Sequence, residues 1–337
     1  MINFTRAFDS AWERMLVILF RPFTWKKWLI IGFNVFLAYL AEGGISFNQP
    51  FHTQTQSEAR IYSSVPAFLH GSKQFIYGLR SYVLSPWAAL YVGLAFVFLI
   101  VWLLLLWVGC RGQFLFLDNV VRNRAAIAWP WRRYAREGNV WFVFQTCLGL
   151  VSMIIFLGLS AGFIALNWSW IDQERNPNGS EIAALVWVLL IVSSLWLVCG
   201  AILFLIRSFA VPLLFKQTFG FWGALRAVGR LMMTYPGSLI IYVLISFVLA
   251  LAMAILAMLA FCLICCVVCC VALIPFIGSL LLVLLMCQIL LPAFIYYRCF
   301  QLDCLAQFGP EYDVWIVDVP PSGSGASMDA TPPPPPV

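Results

Sequence analysis

Apolar residues run in long blocks along most of this chain, and polar residues mark the ends of those blocks. The stretch PWAALYVGLAFVFLIVWLLLLWVGC, residues 86–110, carries no charge. At about 1.5 Å per residue a helix of this length exceeds the ~30 Å of a bilayer's hydrocarbon core. Similar blocks begin near Trp28 and cover about 140–167 and 182–206. From Gly237 to Tyr297 no charged residue occurs. That stretch would make roughly 90 Å of helix, which we read as two spans broken near Pro275, because three spans would need turns without polar residues. The pattern predicts an all-α polytopic membrane protein with about six transmembrane helices plus amphipathic interfacial helices.

Shorter segments alternate with a helical period. Over the first 20 residues Phe4, Phe8, Trp12, Met15, Leu16 and Leu19 share one face, while Arg6, Asp9, Ser10 and Glu13 share another. Residues 1–27 therefore read as an N-terminal interfacial helix closed by RPFTWKKW, a cluster of aromatic and basic anchors. The membrane domain covers 28–300. It includes a long outer connection at 45–85, where a second surface helix is expected, and a basic segment at 111–139. Residues 301–337 form a C-terminal segment whose tail, from about 316, ends in a proline run and lacks the apolar residues to fold. A basic-aromatic surface segment followed by two spans and an exit arginine recurs with a 91-residue period, from Trp131 to Arg207 and from Trp222 to Arg298.

Composition agrees with this reading and narrows it. Charged residues make up 10% of the chain and mean hydropathy is +0.93, against about 25% charged in soluble domains. The N-terminus has charges throughout and no short apolar core before a cleavage site, so no cleaved signal peptide is expected. The net charge of +6 does not point to nucleic acid, because the basic residues border apolar runs and form no separate domain. Counted by side in a six-span arrangement, 16 of the 20 Lys and Arg fall on one side, leaving Arg60, Lys73, Arg80 and Arg175 on the other. The positive-inside rule then puts both termini in the cytoplasm.

The densest positive charge lies in RGQFLFLDNVVRNRAAIAWPWRRYARE, from Arg111 to Glu137. Much of it serves to keep a short connection inside. The segment also interleaves rings with cations: Arg122, Arg124, Trp129, Trp131, Arg132, Arg133 and Arg136 are candidate contacts to anionic lipid at headgroup depth. Elsewhere the chemistry is sparse. CLICCVVCC, residues 262–270, places five cysteines on one helical face, but no His, Asp or Glu lies within thirty residues, so small apolar packing is expected in place of a metal or cluster. GLSAG, residues 158–162, matches G-x-S-x-G, as in intramembrane serine proteases of the rhomboid type. The only histidines, His52 and His70, lie in the outer connection, so Ser160 has no base. The same residues form G-x-x-x-G, and Gly158 and Gly162 are expected to pack helices closely. Asn34, Gln145 and Gln288 are the polar residues inside spans, expected to form interhelical hydrogen bonds. The absence of intramembrane charge argues against a proton-coupled pump. Asn167 and Asn178 begin N-x-S sequons on the outer side.

MINFTRAFDSAWERM, RGQFLFLDNVVRNR with WPWRRYAREGN, and CLAQFGPEYDVW resemble an uncharacterised family of bacterial multi-pass membrane proteins. More distantly the chain is similar to the membrane region attached to some glycerophosphodiester phosphodiesterases, without their catalytic domain. The resemblance implies the bacterial cytoplasmic membrane and carries no functional residues. The expected function is that of a non-enzymatic accessory or scaffold protein without cofactor. It would contact membrane lipid, or a membrane-protein partner, through its cytoplasmic basic-aromatic segments. The alternative is a transporter or lipid-handling protein, which a polar path between spans would favour.

Overall fold

A computed structural model describes residues 3–41, 88–166, 179–217, 220–263 and 277–315. All elements among them are helices: α1 (Phe4–Phe20), α2 (Trp25–Ala41), α3 (Ala88–Val121), α4 (Ala128–Arg133), α5 (Ala135–Leu166), α6 (Gly179–Phe215), α7 (Phe221–Thr234), α8 (Pro236–Leu263), α9 (Ile277–Ile289) and α10 (Leu291–Ala306). Four of these, α3, α5, α6 and α8, are long and apolar enough to cross a membrane, and α9 with α10 would make a fifth if the bent pair is one span. Their length and composition mark a multi-pass membrane protein. The described part of α2 is 17 residues, about 26 Å of helix, and Glu42, Gly43 and Gly44 follow it in the sequence. The connection at 45–85, both sequons, Pro275, all but Cys262 of the cysteine cluster, and the tail lie outside the described residues.

The helices overrun their apolar blocks. The pattern predicts a span ending at Arg111, yet α3 continues to Val121, and α6 passes Arg207 to reach Phe215. These extra turns are where the chain packs against itself. Phe114, Leu117, Phe209 and Leu213 are at most 1% exposed and join α1, α7 and α10 in one buried cluster. The most apolar window of each spanning helix is little covered: only 6 to 17% of it is buried among the described residues. Protein therefore fills the basic ends of the helices, and the apolar flanks are left for lipid.

Helix α10 lies at the centre of that core. It is apolar on nearly every side, the pattern of a helix buried all round, and Leu291, Ile295, Cys299, Phe300, Leu302, Cys304 and Leu305 are fully covered. Phe300 stacks on Phe8 at 4.8 Å and on Tyr242 at 6.2 Å, and Phe209 lies 4.9 Å from Tyr242. The pattern predicts a span after Pro275, and in that region the chain bends by 68° between α9 and α10. Pro292 sits in the first turn of α10, where its missing N–H costs nothing and its ring obstructs continuation of the preceding helix.

Helix α1 starts where the Asn3 side chain accepts the Arg6 amide, and Pro22 follows its end. Its buried face is Ala7, Ala11, Met15, Ile18 and Leu19, turned from the aromatic stripe in the sequence, and Trp12 is 55% exposed. Two alanines allow α1 to approach α10 closely. Asn3 and Gln307 exchange hydrogen bonds across the two ends, 2.6 and 3.1 Å. Helices α2 and α3 meet still more tightly. A Cβ at Gly112 would fall 2.6 Å from Leu37, and one at Gly109 would meet the Ala41 backbone.

Candidate functional site: a basic and aromatic edge

The segment from Arg111 to Glu137 folds around one buried carboxylate. Asp118, on the last turn of α3, is completely covered. Arg124 directs Nε and Nη2 to its Oδ2 at 2.8 and 2.7 Å. Arg122, one turn after Asp118, lies with Nε 3.2 Å from Oδ1, close enough for an ion pair but without a well-directed hydrogen bond. The Tyr134 hydroxyl donates to Oδ1 at 3.4 Å. Burial first, and the Asp118 charge second, push that phenol up to about 12. The turn between α3 and α4 is held by Asn119, whose side chain accepts the Ala126 N–H and donates to the Ala126 carbonyl, both at 3.0 Å. Asn123 takes φ +48, a left-handed conformation that asparagine tolerates better than most residues.

The turn sets Trp129 outward with two cations behind it. Arg124 lies 4.1 Å and Arg122 5.2 Å from its ring centre, and the indole remains 46% exposed. Arg111 is held inside: it donates Nε and Nη2 to Asn139 Oδ1 and sits over Trp107 and Trp131 at 4.4 and 5.1 Å. Trp131 also meets Trp107 edge-on at 6.0 Å. From the end of α6, Gln217 joins the edge by accepting from Arg133 and donating to Glu137, each at 2.9 Å.

The expected lipid contacts thus divide into two groups. Arg122, Arg124 and Trp131 are tied into the fold, where they support the turn. Trp129, Arg132, Arg133 and Arg136 face outward, and Arg132 and Arg136 have no polar partner among the described residues. Ala128, Trp129, Arg132 and Arg133 line an open hollow of about 530 Å³. Its chemistry is that of an anion site beside an apolar ring. Gly158 and Gly162 stand on open faces of α5, with no described atom within 4 Å of a Cβ built at either. Close approaches among the described residues occur at Gly109, Gly112, Gly138, where a Cβ would meet Arg111 Cγ at 2.9 Å, and Gly32, where it would meet Gln288.

Of the three polar residues expected to bond between helices, Gln288 does so, donating to the Leu29 carbonyl at 3.2 Å, while the Trp28 indole donates to the Gln288 carbonyl at 3.2 Å. Asn34 is fully buried with no partner for either end of its amide among the described residues, and the Gln145 Nε2 is likewise unmet. No group of three or more His, Cys, Asp or Glu side chains able to hold a metal occurs among the described residues. Asp118 was missed as a site residue by sequence reasoning; its signal was an acid one helical turn before Arg122 inside an apolar face.

No curated protein and no solved structure matches the chain. The profile of one family matches residues 2–315, nearly all of the sequence before the proline-rich tail. The chain belongs to that family, a family of unknown function (DUF7544).

Proposed function

We propose that this is a non-enzymatic membrane protein acting as an accessory or scaffold, which docks its basic and aromatic edge on anionic lipid of the cytoplasmic leaflet. The observation that carries the reading is the division of labour among the arginines. Asp118 holds Arg122 and Arg124 against the fold and offsets one of their two charges, whereas Arg132, Arg133 and Arg136 present their charge outward beside the exposed Trp129. Each basic residue near an anionic surface contributes about 1 kcal/mol, so the three together contribute a few kcal/mol, reduced as salt screens them. The asymmetry of Lys and Arg supports six spans with both termini in the cytoplasm, and the resemblance of the boundary segments supports a bacterial cytoplasmic membrane. Replacing Arg132, Arg133 and Arg136 by Gln tests the docking. Retained anionic lipid, measured by mass spectrometry on detergent-purified protein, is expected to fall while orientation is preserved, and an unchanged lipid profile would leave these arginines with a purely topological role.

One observation favours the transporter or lipid-handling reading: the Asn34 amide, buried between helices without a partner among the described residues. Water-accessible labelling of a cysteine placed at Asn34 would support it; a protected cysteine there would favour the closed bundle.

A further inference from the structure

A second opening lies at the α3 terminus. This cleft of about 320 Å³ is formed by α1, the end of α3 and Trp315, three segments far apart in sequence. Its floor is apolar, made by Val17, Ile18, Val120 and Val121. Its rim is charged. Arg14 stacks on the Trp315 indole at 3.8 Å and places Nε 3.4 Å from Asp303, whose own Oδ1 accepts from the Trp315 indole at 2.8 Å. The guanidinium is thereby fixed in place, with 40% of its side chain open to solvent. Asn123, which also lines the cleft, accepts from the ammonium of Lys27 just behind it at 2.7 Å. Glu13 also lines the cleft and is exposed, with no partner among the described residues.

Charge balance selects the occupant. Asp303 pairs with Arg14, whereas Glu13 and Lys27 have no ionic partner among the described residues, so the cleft offers separated cations and an exposed carboxylate. A net-anionic headgroup would face Glu13 with nothing to answer it. A headgroup with a phosphate and a primary ammonium matches the rim, the phosphate meeting Arg14 and Lys27 and the ammonium donating to Glu13. The position fits a lipid in place of a soluble ligand. Val17, 42% exposed, is one turn before Phe20 on the same face, and Phe20 belongs to a cluster with Phe23, Trp25 and Trp28, of which Trp25 is 71% exposed. Such exposed rings settle at headgroup depth. We propose that this cleft binds an ethanolamine phospholipid, its ammonium on Glu13, its phosphate between Arg14 and Lys27, and its apolar part leaving along Val17 and Val121. The site is separate from the arginine edge and differs from it in the charge class it takes.

The test uses the full chain in nanodiscs holding ethanolamine, choline and glycerol phospholipids with identical acyl chains, followed by counting of retained lipid by native mass spectrometry. A choline headgroup keeps the charge but cannot donate a hydrogen bond to Glu13. Ethanolamine lipid is expected to be retained over choline lipid by about two- to fivefold, the scale of one partly exposed charged contact. Glu13→Gln, at an exposed position, should bring that ratio near one without lowering the retained anionic lipid. Lys27→Gln should lower both zwitterionic lipids together. The triple change at Arg132, Arg133 and Arg136 should leave the ratio intact, so failure of the edge and failure of the cleft give different results. Equal retention of the two lipids by the natural protein, or an undiminished ratio in Glu13→Gln, would overturn the proposal. So would displacement of the lipid by soluble phosphoethanolamine, which lacks the apolar part.

Discussion

Replacing Asp118 by Ala removes the acceptor that holds two arginines and a tyrosine at the turn after α3. Deleting one partner of a buried ion pair costs about 3–5 kcal/mol when the other charge is stranded. Here the side chains of Arg122 and Arg124 keep 25 and 33% of their surface in solvent, so rehydration offsets part of the loss, and we expect about 2–3 kcal/mol. For a chain of this length this lowers Tm by roughly 3–4 °C. Tryptophan fluorescence during heating of detergent-purified protein is the assay. The order within a series matters as much as the size: Arg124→Gln should cost more than Arg122→Gln, because Arg124 makes two short hydrogen bonds to Oδ2 and Arg122 only an oblique ion pair. Asp118→Asn should fall between the natural protein and Asp118→Ala. A melting temperature for Asp118→Ala within about 1 °C of the natural protein would show that the carboxylate does not hold this turn.

Gly112→Leu should destabilise the α2–α3 pair strongly, by an overpacking penalty of at least 1–3 kcal/mol, because even a Cβ there reaches Leu37 at 2.6 Å; Gly158→Leu should leave the thermal stability of the isolated chain within about 0.5 kcal/mol. Reporter fusions after Gly309 and within residues 50–60 should report opposite sides of the membrane, and an extracytoplasmic signal after Gly309 would sink the six-span arrangement. Phe300→Ala, at the centre of the core, should cost about 3–5 kcal/mol, measured by the same fluorescence melt. Replacing the five cysteines of residues 262–270 by Ala or Val should leave assembly unchanged, and loss of a stoichiometric metal or acyl chain on doing so would reverse that expectation.

Hydropathy located the long helices well, because a chain that avoids charge for 20 residues has few other solvents available. It placed their ends less well. At Arg111 and Arg207 the apolar block stops and the helix does not, since Phe114 and Phe209 continue a face that meets protein instead of lipid. Periodicity distinguishes those environments only when the partner helix is known. Helix α10 shows the same limit: a run rich in Leu, Phe and Tyr reads alike whether lipid or neighbouring helices surround it. Its visible signal was Pro292, which marks the bend. The basic edge was legible in composition, but not its internal division, because a count of six arginines against two acids treats Asp118 as one charge among many. Its burial gives it control of two of them. The glycines offer a parallel lesson. G-x-x-x-G at Gly158 is the better-known spacing, whereas the close approach occurs at Gly109 and Gly112, opposite Leu37 and Ala41. Spacing on one helix could not reveal it.

The concentration of packing at one end of the long helices has a mechanical consequence. Packed at the base by α1, α7 and α10, with little of their most apolar windows covered among the described residues, the long helices resemble beams held at one end. A bilayer that thins or thickens imposes tilt on such beams at a cost of fractions of a kcal/mol per ångström, and the lever arm delivers that torque to the root. The α3 root carries Asp118 and the turn that aims Trp129, so a change in membrane thickness would register as a change in how the arginine edge meets the leaflet.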